Sequence, residues 1–177
     1  SGFFGSGKSH FLKILSYLLK NSTVEGKRAI EYFTDGKKIE DPMLIAEMTK
    51  AGTIESDVML FNIDSKGSAK VGSGKEAIVE VFMKVFNEMQ GYCGSIPYLA
   101  EFERQLDNEG RFEEFKERFE ANAGAPWDKK RQAFAVIQDK VVKTLVEMDF
   151  MSEEAARNWC KNAKGSYDLS IEKFVSL

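Results

Sequence analysis

Gly2 to Ser9 reads GFFGSGKS, a GxxxxGK[ST] string in which each fixed residue type has a phosphate to serve. Glycines let a backbone wrap an anion with its N–H groups, and a lysine closing the wrap reaches terminal phosphates as a movable point charge. Gly2, Gly7 and Lys8 hold those positions, and Lys8 is the catalytic candidate. Gly5 and Ser6 would add main-chain donors, and Ser9 carries the hydroxyl expected to ligate Mg²⁺. His10, the only histidine, follows directly, where an imidazole could face the nucleotide, pack at a helix start or stand in solvent. By average residue frequencies such a string arises by accident roughly once in a couple of hundred chains of this length. The ligands implied are ATP and Mg²⁺.

A phosphate cradle of this kind needs a buried parallel strand to aim it and a helix to follow it. No strand precedes Ser1, so the sequence reads as an excerpt of a longer protein. After the cradle, Phe11, Leu12, Ile14, Leu15, Leu18 and Leu19 cover a broad helical face, predicting a helix from Lys8 to Lys20 packed deep against a sheet. Gly26 to Phe33 predicts a short amphipathic turn and Thr34 to Lys38 a polar loop. Asp41-Pro42 is an N-cap followed by a first-turn proline, opening a short helix through Ala51. Residues 57–64, DVMLFNID, form a continuous apolar run of the type that makes a strand covered on both faces. Asp64 at its end is a candidate metal carboxylate of the Walker B kind. Ser65 and Lys66 follow it in place of a second acid, so the run reads better as a core strand preceding the Walker B strand.

Beyond Gly74, Ile78, Phe82, Val85 and Met89 recur at helical spacing to about Gly91. Further helices are predicted from Pro97 to Asn108, around Phe112, Phe115 and Phe119, along Phe134, Ile137, Val141 and Leu145, and from Ser152 through Trp159. Ser152 is the N-cap there, with Glu153 and Glu154 in the first turn, where the helix dipole favours acid. The phenylalanine triplet reads as core and Lys129-Lys130-Arg131 as a solvated face. A second GSGK string at Gly72 to Lys75 is a decoy: Ala69 replaces the first glycine, and Glu76 replaces the hydroxyl with a charge that repels phosphate. The expected fold is therefore α/β: a helix-rich, partial P-loop NTPase core (AAA+/STAND-like) over residues 1–94, then an all-helical module over 95–177.

Composition sets the outer bounds. With 43% apolar and 30% charged residues the 177-residue chain is that of an ordinary globular protein. A net charge of −3 provides no basic field for sequence-independent nucleic-acid binding, so direct DNA contact is not supported by charge. Cys93 and Cys160 are too few for a disulfide framework and stand in no zinc-like spacing, which suits free buried thiols in a reducing cytoplasm. No apolar run reaches the ~18–20 residues of a membrane span.

Taken together, SGFFGSGKSHFLKILSYLL, DPMLIAEM, DVMLFNIDSK, VFMKVFNEMQGYCGSIPYLAEFERQLD and MSEEAARNW resemble the BrxC/PglY family, the large P-loop proteins of bacteriophage exclusion (BREX) systems. The resemblance covers nearly the whole chain. It implies a cytoplasmic bacterial or archaeal ATPase, longer than these residues, acting against phage with other BREX components such as a DNA methyltransferase, with self-association open. Position by position, the family's phosphate loop falls on Gly2, Gly5, Ser6, Gly7, Lys8 and Ser9. A Walker B acid, sensor residues and an arginine finger have no secure counterpart here. Two alternatives stand beside this reading: a nucleotide-responsive interaction module with little turnover, and a small nucleoside or sugar kinase, for which the arginine-rich lid is missing.

Overall fold

The computed structural model describes residues 7–60, 75–167 and 176, which fall in two compact units, Ser1–Leu60 and Phe61–Leu177.

In the first unit, α1 (Lys8–Lys20) leads into a two-stranded antiparallel hairpin, β1 (Thr23–Val24) and β2 (Lys27–Arg28), with Thr23 opposite Arg28 and Val24 opposite Lys27. Both loop residues have positive φ, 51° at Glu25 and 81° at Gly26, the twist a two-residue hairpin loop requires. A short helix α2 (Glu31–Thr34), a 3₁₀ turn (Asp35–Lys37) and α3 (Pro42–Ala51) complete the unit. As expected, Asp41 caps α3, its side chain accepting from the amides of Met43 and Leu44.

One side chain ties these pieces together. Asn21 ends α1 in the left-handed conformation at φ 44°, accepts from the Ile30 amide at 3.0 Å and donates to the Gly52 carbonyl at 2.8 Å. It thereby joins the end of α1, the entry to α2 and the end of α3. A side chain at Gly52 would collide with it, since an added Cβ would lie 2.9 Å from Asn21 Nδ2.

Two expectations are corrected in this unit. No residue of α1 is buried: Phe11 is 65% exposed and Leu12 and Leu15 are exposed too, so the deep packing against a sheet is not found among the described residues. Residues 57–60 of the expected strand carry no regular structure, and 61–64, including Asp64, lie outside the described residues. The hairpin is the only β-structure among the described residues, and it is antiparallel.

The second unit is helical: α4 (Lys75–Met89), α5 (Pro97–Asn108), α6 (Phe112–Ala123), α7 (Trp127–Lys130), a 3₁₀ turn (Arg131–Ala133), α8 (Phe134–Glu147) and α9 (Glu153–Ser166). Helix α4, read from sequence with the preceding residues, belongs to this unit and packs against α5. Its apolar residues run round the helix, so periodicity names no single face. Ile78, Phe82 and Met89 are exposed, whereas Val81, Met83 and Asn87 are buried.

The core forms where α5, α6, α8 and α9 turn their apolar stripes inward. Phe112, Phe115 and Phe119 are buried, as the sequence predicts, and the Trp127 ring stands edge-on to Phe115 and Phe119 at centroid distances of 5.1 and 5.0 Å. Such edge-to-face pairs set the positive ring edge against the negative face. Ser152 caps α9 through the Ala155 amide, and the helix runs past Trp159 to Ser166. At the end of α8, Arg111 donates to the Met148 carbonyl at 2.6 Å and Arg118 to that of Glu147 at 3.1 Å, placing cations where helix carbonyls lack partners.

Candidate functional site

Of the residues read as a phosphate cradle, Gly7, Lys8, Ser9 and His10 are described, and Gly2, Gly5 and Ser6 lie outside the described residues. Gly7 stands immediately before α1 with φ 80° and ψ 8°, a left-handed conformation that costs glycine least. Its carbonyl accepts the first helical bond, from the Phe11 amide at 2.9 Å.

The end so formed suits an anion. A helix start leaves its first amides without helical partners, and the N-cap of α1, Gly7, has no side chain with which to cap them. No acid lies in the first turn, while Lys8 does. Anions gain from such an end through both the free donors and the helix dipole. Lys8, Ser9 and His10 are all exposed, so the ammonium, hydroxyl and imidazole can reach a ligand, and His10 is not packed at the helix start. A Mg-nucleotide, were one bound, would have the first amides and Lys8 for its phosphate oxygens and Ser9 Oγ for its metal. Among the described residues no group of three His, Cys, Asp or Glu side chains comes together as a metal cluster.

A second polar centre, not foreseen from sequence, lies inside the helical unit. Glu103 is fully buried and accepts three hydrogen bonds: from the Cys93 amide at 2.5 Å, Trp127 Nε1 at 2.6 Å and Arg131 Nη1 at 2.9 Å. Arg131 also pairs with exposed Asp128 at 3.2 Å. A buried carboxylate is costly unless paired and hydrogen-bonded, and here both conditions hold. Glu103 joins the loop before α5 to α7 and the 3₁₀ turn, so its role is architectural. Arg131 accordingly leaves the solvated face assigned to Lys129-Lys130-Arg131, while its two lysine neighbours stay exposed. The sequence signal was Glu103 standing in the stripe of Leu99, Phe102 and Leu106.

The remaining titratable groups here serve packing. Cys93 and Cys160 are free and buried, and burial pushes the Cys160 thiol up to about 11, leaving it protonated and unreactive at neutral pH. Burial, then the hydrogen bond from Tyr92 Oη to Asp107 at 2.5 Å, raises the Tyr92 phenol to about 12.

No protein-family model matches the chain, and no solved structure matches it. Among the described residues no helix is long and apolar enough to cross a membrane.

Proposed function

We propose that the chain carries the phosphate-binding loop of a P-loop ATPase, the amino-terminal part of an α/β nucleotide-binding core, and that it works in a BREX-type phage-defence system. The start of α1 carries this reading: a left-handed Gly7 at the N-cap, no first-turn acid, and Lys8 and Ser9 exposed at the same end. The BREX assignment rests on the sequence resemblance, and with it come a cytoplasmic location, other defence components as partners and room for self-association.

In this mechanism the first amides of α1, with those of Gly5 and Ser6, would hold phosphate oxygens. Lys8 would pair with the terminal phosphate oxygens as a positive charge, and Ser9 Oγ is the residue that would hold the metal. Mg²⁺ held there would supply charge neutralisation on the phosphates. An acid to complete the metal site and a residue to position water are further requirements of hydrolysis. Asp64 is the candidate acid within the chain.

ATP turnover and ATP affinity of the full-length protein, wild type against Lys8→Ala, test the assignment: both should fall by at least tenfold, and undiminished values would sink it. Ser9→Ala should raise the magnesium concentration needed for half-maximal turnover. The self-contained core of the helical unit favours one further reading, a docking module whose partner affinity responds to nucleotide with little turnover. Partner affinity that ignores ATP and ADP alike would remove it.

A further inference from the structure

The whole-chain charge conceals one helix that contains no acid. Helix α1 reads KSHFLKILSYLLK, and its 3.6-residue period sorts it into two faces. Phe11, Ile14, Leu15 and Leu18 lie on one, and His10, Lys13, Tyr17 and Lys20 form a stripe on the other, all four exposed. Lys13 Nζ lies 5.9 Å from the centroid of the Tyr17 ring, and neither Lys13 nor Lys20 forms an ion pair among the described residues.

This stripe leads into a cavity. Where α1 meets the hairpin and α2, Tyr17, Lys20, Val24, Tyr32 and Phe33 line an open pocket of about 440 Å³. Three of the residues lining it are aromatic, and Lys20 lines it with them. Tyr32 is held in place by its own hydroxyl, which donates to the Val24 carbonyl at 2.8 Å.

We propose that the Lys13–Tyr17–Lys20 face of α1 and the aromatic pocket beside it bind single-stranded nucleic acid. Unpaired cations along a stripe and aromatic faces that accept any base are the two components of sequence-tolerant single-strand binding. Lys13 and Lys20 are seven residues apart, about 10 Å along the helix at its 1.5 Å rise, so each can meet a different phosphate of one strand. Between them Tyr17, more than half exposed, offers its ring to a base, and the pocket of Tyr32 and Phe33 can take the next. An acidic peptide would use the lysines and leave three rings without a planar partner, so the rings favour the nucleic acid. The face lies along the helix rather than at its start, and the proposal is independent of nucleotide binding at Lys8.

Fluorescence anisotropy of a labelled oligothymidylate, titrated with the full chain over a salt series, tests this. Binding at low salt is expected, and Tyr17→Ala should weaken it about tenfold, the size of one lost stacking contact, while Tyr17→Phe should retain it. Lys13→Ala with Lys20→Ala should flatten the dependence of log affinity on log salt by about 1.4, at about 0.7 per lost phosphate contact. Because these side chains are exposed, circular dichroism should report unchanged helicity, and MgATP affinity should be the same in Tyr17→Ala as in wild type. Three results would overturn the proposal: no binding at low salt, equal affinity for Tyr17→Ala and wild type, or competition by polyglutamate as strong as that by unlabelled oligonucleotide. The last would assign the face to acidic protein.

Discussion

Helices α1 and α5 are nearly the same length and both amphipathic, yet α1 buries no residue while α5 buries Leu99, Ala100, Phe102, Glu103 and Leu106. Periodicity specifies that a helix has an apolar face; whether the face is covered depends on what else the chain supplies. Around α5 the chain supplies α6, α7, α8 and α9, and their rings close over it. Around α1 it supplies a short hairpin and α3, tied by Asn21. Stability therefore concentrates in the second unit and ligand-accessible chemistry in the first, as expected when binding segments are drawn from the less stable parts of a protein.

The strongest way to break this contrast is to empty the closed core. Trp127→Ala should cost about 3–5 kcal/mol in denaturant unfolding of the helical unit, since the buried indole packs edge-on against both Phe115 and Phe119. Glu103→Ala should be of similar size, about 3–5 kcal/mol, because Arg131 is left with its inward partner gone. A smaller loss than about 1 kcal/mol for either would mean that the core does not depend on the cluster. In the first unit Asn21→Ala should cost about 1–3 kcal/mol, seen as faster amide exchange at Ile30 and α3 with the helical unit unaffected.

A smaller effect comes from pH. The Tyr92 phenol is raised from 10.0 to about 12 in the folded chain, so the stability it contributes is fully present below pH 10 and is lost as pH rises toward 12. The denaturation midpoint should fall over that window in wild type and fall less in Tyr92→Phe; parallel curves would contradict the linkage. Smallest of all should be Phe11→Ala, within about 0.5 kcal/mol, since that ring is 65% exposed.

Where residues act through local rules, the sequence was a sound guide. Pro97 and Asn108 bound α5, Asp41 and Ser152 cap their helices, and the spacing of Phe112, Phe115 and Phe119 placed them in the core. Gly7 takes positive φ at the helix start, a conformation that favours glycine. What escaped depends on partners distant in sequence. Glu103 is buried because Trp127 and Arg131, more than twenty residues away, bring donors to it. The tight hairpin turns at Glu25-Gly26, lacking the Asn-Gly or Asp-Gly signal, with a glutamate in left-handed conformation. Asn21 acts on residues nine and thirty-one positions away, which no local pattern announces. The exposed face of α1 follows the same rule, for its periodicity is as strong as that of a buried helix.

The central claim is that the start of α1 receives phosphate. Hydrogen–deuterium exchange of the full-length protein, followed in the peptide spanning residues 7–10 with and without MgATP, tests it most directly. Slower exchange at the amides of Lys8, Ser9 and His10 on nucleotide binding, abolished in Lys8→Ala, is the predicted result. Nucleotide bound at saturation with exchange in that peptide unchanged would contradict it.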